Sequence, residues 1–157
     1  MEQLIVGKSL EMQLAALLDT LPSDATVSYM VTRLNEGEEA TIVASSKETI
    51  VHTGASMVKT LILEYVFHLA AQEQLDLNDT IALSRSPRVE GAGALMELVG
   101  NHSFSYLELC RLMMVLSDNW ATNLLIQALG MENINARAEQ LGLEHFEINR
   151  MMMDFTA

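Results

Sequence analysis

The sequence predicts an α+β fold in which helix predominates. Three observations carry this. Leucines recur at helical spacing over the first eighteen residues, two alternating apolar segments flank a single turn, and helical periodicity runs almost throughout from residue 56 onward. Half of the 157 residues are hydrophobic and only two are proline, so one domain with a real buried core is expected rather than a disordered or linker-rich chain.

Leu4, Leu10, Leu14, Leu17 and Leu18 put an apolar stripe on a first helix over residues 2–18. Residues 25–34 alternate, with Val27, Tyr29 and Val31 on one face, and read as a strand. Asn35-Glu36-Gly37-Glu38 makes a turn, and residues 40–45 return as a second strand, completing a hairpin. Residues 57–72 are apolar nearly all round, the pattern of a helix buried on every side. Ser105-Tyr106-Leu107-Glu108 is a capping box that opens the next helix. Another helix begins at about Asn119 and stops at Gly130, and a further one stops at Gly142. The order is therefore helix, hairpin, then four or five helices. Two strands make a marginal sheet, so part of the fold is expected to be missing.

Composition excludes several functions. With 9 Lys and Arg against 21 Asp and Glu, the net charge is −12, which repels phosphate backbones and anionic lipid. The apolar stretch of residues 60–71 is broken by Glu64 and His68 and is too short to span a bilayer. Neither nucleic acid nor membrane is an expected partner. Met1-Glu2-Gln3-Leu4 lacks the basic start of a signal peptide, so the expectation for the chain as written is cytoplasmic. Cys110 is the one cysteine and lies in an apolar run, where a buried structural thiol is expected. His52, His68, His102 and His145 show no metal-ligand spacing, and Gly91-Ala92-Gly93 lacks the strand-turn-helix setting of a nucleotide loop. No metal or cofactor is implied.

The chemistry gathers in two short motifs. Gly54-Ala55-Ser56-Met57-Val58-Lys59 puts a serine at the start of the second helix and a lysine three residues on, which brings the amine within reach of the hydroxyl. A desolvated lysine can take the proton of a serine nucleophile, and a helix N-terminus supplies N–H groups for an oxyanion. The spacing also suits an N-cap serine beside a surface lysine, although Thr60-Leu61-Ile62-Leu63 makes an apolar setting for Lys59. About sixty residues later, Ser117-Asp118-Asn119 breaks two apolar helices. Alone it reads as a helix cap. Beside the first motif, Ser117 can pass a proton to a leaving group, the Asn119 amide can hold a substrate carbonyl, and Asp118 can brace the loop through backbone hydrogen bonds.

Ala55-Ser56-Met57-Val58-Lys59-Thr60 followed by Ser117-Asp118-Asn119 resembles the class A β-lactamases and related penicillin-recognising serine hydrolases. Gly91-Ala92-Gly93-Ala94-Leu95 resembles the segment lining their site entrance. Residues 119–125 are similar to the helix after their Ser-Asp-Asn loop, and Arg150-Met151-Met152-Met153-Asp154 to the start of their Ω-loop. The likeness covers residues 10–157 in order. It implies a β-lactamase/DD-peptidase-like fold: residues 1–55 contribute the N-terminal part of a sheet subdomain, and 56–157 an all-α subdomain carrying both motifs. It also implies a roster of roles, with Ser56 acylated, Lys59 its base or relay, Ser117 and Asn119 on the opposite wall, and Asp118 and Arg150 structural near the site. The implied substrate is a β-lactam or another small amide or ester.

Two departures qualify that implication. The family's later Lys-Thr/Ser-Gly motif is absent, and the C-terminal strands and helix are expected to be missing with it. Losing one oxyanion donor costs on the order of a hundredfold in rate, so the chain alone is expected to be a poor hydrolase or a non-catalytic binding module. Class A enzymes also carry a deacylating glutamate two residues after the Ω-loop arginine, where this chain has Met152. Glu147 and Asp154 lie nearby but do not match that position. A completed site would then acylate and stall, as penicillin-binding proteins do. Uncovered apolar faces on the first helix and hairpin predict a homo-oligomer or a complementary C-terminal fragment as partner.

Overall fold

The structure, a computed structural model, describes residues 9–34, 36, 37 and 39–156. It divides into two compact units, one ending at His52 and the other beginning at Thr53.

In the first unit, helix α1 spans Leu10–Leu18, with the Ser9 hydroxyl accepting from Met12 N. The expected helix over 2–18 is thus seen in its second half; residues 2–8, with Leu4, lie outside the described residues. Strands β1 (Tyr29–Arg33) and β2 (Thr41–Ser46) pair antiparallel, with an irregularity between Val31 and Thr32. The first strand is shorter than its alternation suggested, and Val27 falls outside it. The cause is its partner. Ser46 already pairs with Tyr29, and Lys47 then takes a left-handed backbone (φ 53°) that turns the chain away. Of the expected turn, Gly37 is left-handed as a tight reversal requires, while Asn35 and Glu38 lie outside the described residues.

The second unit holds helices α2 (Val58–Ala71), α3 (Tyr106–Val115), α4 (Asn119–Leu129) and α5 (Met131–Gln140). The capping box is complete: Ser105 N donates to Glu108 Oε2 at 2.8 Å, and Glu108 N to Ser105 Oγ at 3.2 Å. Gly130 (φ 85°) ends α4 and Gly142 (φ 77°) follows α5, at the positions its glycines marked.

Two expectations are corrected here. The stretch beyond residue 56 is not all helical, because β3 (Thr80–Ala82) pairs antiparallel with β4 (Ser103–Ser105). Three-residue strands are too short for alternation to register in the sequence. Nor is α2 buried all round: Lys59, Leu61, Ile62 and Val66 are buried, while Phe67 is exposed. It meets α3, α4 and α5 along one stripe. The helix enclosed on nearly every side is α4, nine of whose residues are buried. Its Leu124, Leu125 and Ile126 join Ile62, Leu109, Met113 and Ile134 in the core that fixes the helix ends bearing both motifs.

Candidate active site

Ser56 and Lys59 come from the start of α2, and Ser117, Asp118 and Asn119 from the short link between α3 and α4. Ser56 does not lie in the first α-helical turn but on a 3₁₀ turn, Ala55–Met57, that leads into it. Ser56 is exposed; Lys59, three residues on, points inward and is 2% exposed.

The structure brings four of the predicted residues together. Lys59 Nζ lies 2.7 Å from Ser117 O, 2.8 Å from Ser117 Oγ, 3.0 Å from Asn119 Oδ1 and 3.3 Å from Ser56 Oγ. The two hydroxyls are 3.0 Å apart. Burial pulls the Lys59 amine below the ordinary lysine value, and the nearby Asp118 carboxylate partly opposes it.

Which protons sit where follows from what each atom can do. A carbonyl oxygen only accepts, so Ser117 O takes one N–H of Lys59. Asn119 Nδ2 donates to Glu90 O at 3.4 Å, which leaves Asn119 Oδ1 facing the amine as a second pure acceptor. A neutral amine has two N–H bonds and one lone pair. In the charged form a third N–H reaches the serine hydroxyls, of which Ser117 Oγ is the nearer; in the neutral form the lone pair would face them instead. The Asn119 amide, expected to hold a substrate carbonyl, is engaged at both ends by the protein.

Asp118 is 1% exposed and braces the link. Its Oδ2 accepts from Ala94 N (2.7 Å) and Leu95 N (2.9 Å), and its Oδ1 from Ala121 N (2.9 Å), where it caps α4. Asn119 N also donates to Ala92 O at 3.0 Å, so the 91–95 segment is stitched to the Ser-Asp-Asn link. A Cβ on Gly93 (φ 125°) would come within 2.2 Å of the Asp118 carboxylate, and one on Gly91 within 2.9 Å of Asn119 Nδ2. Those two glycines serve close approach, not a nucleotide loop.

Arg150 is not brought into this cluster. Its Nη1 donates to Asp154 O at 2.6 Å and its guanidinium lies 5.1 Å from the Phe155 ring centre. The segment around it is held from the helices by two asparagines that sequence reasoning missed. Asn123 on α4 accepts from Met152 N (2.7 Å) and donates to Met152 O (3.1 Å). Asn135 on α5 does the same with Ile148 N and O, both at 2.9 Å. The available signal was Asn123 itself, a buried amide inside a mostly apolar helix that has to find a partner.

Elsewhere, Cys110 is buried in α3 and burial pushes its thiol up to about 11, which leaves it unreactive. His52 Nε2 meets Ser28 Oγ at 2.7 Å. Among the described residues, no three His, Cys, Asp or Glu side chains gather as metal ligands, and no helix is long and apolar enough to cross a membrane.

Comparison with known proteins bears on the whole chain. Residues 9–157 match the family model described as "Beta-lactamase enzyme family". A curated relative, Beta-lactamase BRO-1 of Moraxella catarrhalis, is 31% identical over 97 residues, which are 57% of this chain and 31% of that protein. Among solved structures, PBP-A superposes with a TM-score of 0.74 at 26% identity, covering 92% of this chain and 53% of that one. A PBP-A mutant described as an acyl-enzyme complex with penicillin G gives 0.75 at 27% identity over the same shares. A β-lactamase from Sphaerobacter thermophilus gives 0.68 at 27% identity, covering 78% of this chain and 45% of that one. The chain thus spans about half the length of these structures, and less of the curated relative.

Proposed function

The chain belongs to the β-lactamase enzyme family, and on that premise we propose that it carries the acylating residues of a penicillin-recognising serine hydrolase, with Ser56 as nucleophile. The observation that supports this most is the Lys59 amine, buried and fixed by two pure acceptors so that in the neutral form its lone pair would face the Ser117 and Ser56 hydroxyls.

In the proposed step, Ser56 Oγ attacks the carbonyl carbon of a β-lactam or another small amide or ester. The Ser56 proton passes to Ser117 Oγ, 3.0 Å away, while Ser117 gives its own proton to Lys59, 2.8 Å away. When the C–N bond breaks, the same path runs backward. Ser117 protonates the leaving nitrogen and is reprotonated by Lys59, so the acyl-enzyme forms with no net proton change. The relay is favoured over direct transfer because Ser56 Oγ lies 3.3 Å from the amine.

Deacylation is proposed to be slow. The position two residues after Arg150 holds Met152, whose thioether cannot activate water. The remaining oxyanion donors and the rest of the sheet are proposed to come from a further segment, whether a C-terminal continuation, a complementary fragment or another copy of the chain. Met30, Leu34 and Ile42 around the β1–β2 hairpin are exposed apolar side chains that such a segment would cover.

Intact-mass spectrometry after incubation with penicillin G, with Ser56→Ala as control, tests the reading. A persistent one-to-one adduct that is lost in the variant is the expected result. No adduct would show that these residues do not acylate on their own, and would leave either a part-site that needs its complementary segment or a scaffold that binds without catalysis.

A further inference from the structure

The second unit has an open cleft of about 250 Å³ that the acylation chemistry does not use. One side is the 3₁₀ turn Leu83–Arg85 and Ser86, and the other is the bend from Gly100 to Ser103 that enters β4. The two sides are tied by the β3–β4 ladder and by Leu83 N donating to His102 O at 2.9 Å, so the cleft is built on paired strands. Gly100 is left-handed (φ 97°) with open space where a Cβ would stand. Trp120 lines the cleft from the head of α4. Its Nε1 donates to Ser86 O at 3.3 Å, which spends the indole's polar group, and the 9% of the residue that stays exposed gives the cleft an apolar border.

The lining chemistry is specific. Ser84, Asn101 and Ser103 present hydroxyl and amide groups that make no side-chain hydrogen bond to another described residue. Each can both donate and accept. His102 Nε2 lies 3.0 Å from Val99 O, a pure acceptor, which puts the proton on Nε2 and leaves Nδ1 to accept. No Asp, Glu, Lys or Arg lines the cleft. An anion would find no counter-charge here in a chain of net charge −12, and a cation would find no carboxylate. The volume falls below the roughly 300–1,000 Å³ of sites for drug-sized ligands and suits a single ring.

From these features we infer that the cleft is a second small-molecule site, for a neutral polyhydroxylated ring of monosaccharide size. Vicinal hydroxyls are donors and acceptors at once and match Ser84, Asn101 and Ser103, while the apolar carbons of a sugar ring can rest on the small exposed part of the indole. The site stands apart from acylation in its residues, although Trp120 directly follows Asn119 in α4.

The chain has one tryptophan, so fluorescence excited beyond the absorption of its three tyrosines reports this residue alone. The test is titration of the full chain with glucose, with glucuronate at matched ionic strength as the anionic counterpart. A saturable change with glucose is expected, with a dissociation constant on the order of 1–10 mM, and glucuronate is expected to give none. Asn101→Ala and Ser84→Ala, both at exposed positions, should each weaken binding by about tenfold. Ser56→Ala should bind glucose as the native chain does, which separates this site from the proposed nucleophile. A linear, unsaturable drift, an equal response to glucuronate, or a response that survives in both cleft variants would each overturn the inference.

Discussion

The carbonyl oxygen of Ser117 sits 2.7 Å from Lys59 Nζ, and Ser117 is left-handed, with φ 53°. A right-handed serine would aim that carbonyl elsewhere. Ala55, the residue before the nucleophile, is left-handed as well, with φ 44°. Neither is glycine, so the chain carries backbone strain on both sides of the Ser56–Ser117 hydroxyl pair, about 1–2 kcal/mol at each residue. Three of the four contacts of the Lys59 amine depend on Ser117 and its neighbour Asn119.

Replacing Ser117 separates the hydroxyl from the backbone. Ser117→Gly and Ser117→Ala both remove the hydroxyl of the proposed relay, and each should slow formation of the penicillin adduct by about a hundredfold or more. They should differ in stability. Glycine accepts φ 53° without strain, so Ser117→Gly should be more stable than Ser117→Ala by about 1 kcal/mol in urea unfolding. Equal stability would mean that the left-handed turn costs nothing; native-like acylation in either variant would remove Ser117 from the relay.

Lys59 makes pH a second probe. Its amine is held below the ordinary lysine value by burial, so the folded chain gives up that proton at a lower pH than the unfolded chain does. Between the two values the unfolded state binds more protons, and stability from this group rises with pH across that window. Cys110 works the other way. Its folded value of about 11 lies above the ordinary thiol value of 9.0, so its contribution falls as pH rises beyond that ordinary value. The native chain should therefore gain stability relative to Lys59→Met as pH rises through the Lys59 window, with the Cys110 effect common to both. Adduct formation should rise around the lowered folded value, at the lower edge of that window, and level off above it as the amine becomes a base. Urea unfolding and adduct rates at stepped pH check both; a difference that is flat with pH would refute the assignment.

Gly93 should be the least replaceable glycine. An alanine there would bring its Cβ within 2.2 Å of the Asp118 carboxylate and 2.7 Å of the Asp118 Cα. Backbone must move, and the Ala94 and Leu95 amides would lose their buried acceptor. At about 1–3 kcal/mol for each unpaired group, Gly93→Ala should cost on the order of 3 kcal/mol or more. Gly142→Ala is the control. Gly142 is also left-handed but meets nothing within 4 Å, so only the backbone cost of about 1–2 kcal/mol applies. Similar losses in the two variants, measured by urea unfolding, would show that the 91–95 segment yields freely.

What the sequence made legible was local. The capping box at Ser105, the stops at Gly130 and Gly142, and the reach of Lys59 to Ser56 each depend on residues within four positions of one another. The three-residue strands β3 and β4 were not legible because each exists only by pairing with the other, more than twenty residues away. The breadth of burial on α2 departs from its apolar pattern for a related reason, since apolar composition does not say how many neighbours a helix has. At the site, residue types pointed to Ser56, Lys59, Ser117 and Asn119. They could not show that the Asn119 amide is engaged at both ends, because Glu90 O is a backbone group with no trace in the sequence pattern.

Met152 gives the sharpest chemical prediction. The resemblance places a deacylating glutamate at this position, and the Asn123 amide holds its backbone at both N and O whatever side chain it bears. Met152→Glu should therefore keep the local backbone and add the missing base. The penicillin adduct, expected to persist on the native chain, should then decay, with a lifetime shortened by about a hundredfold or more. Adding Asn123→Leu should cancel much of that gain, because the carboxylate would be attached to a segment no longer pinned to α4. It should also cost about 1–3 kcal/mol, since Met152 N and O lose their partner. Time-resolved intact-mass spectrometry of the adduct reads all three proteins. An adduct equally long-lived with glutamate in place would show that slow deacylation has another cause, such as an incomplete oxyanion pocket, and that residue 152 does not face the acyl carbonyl.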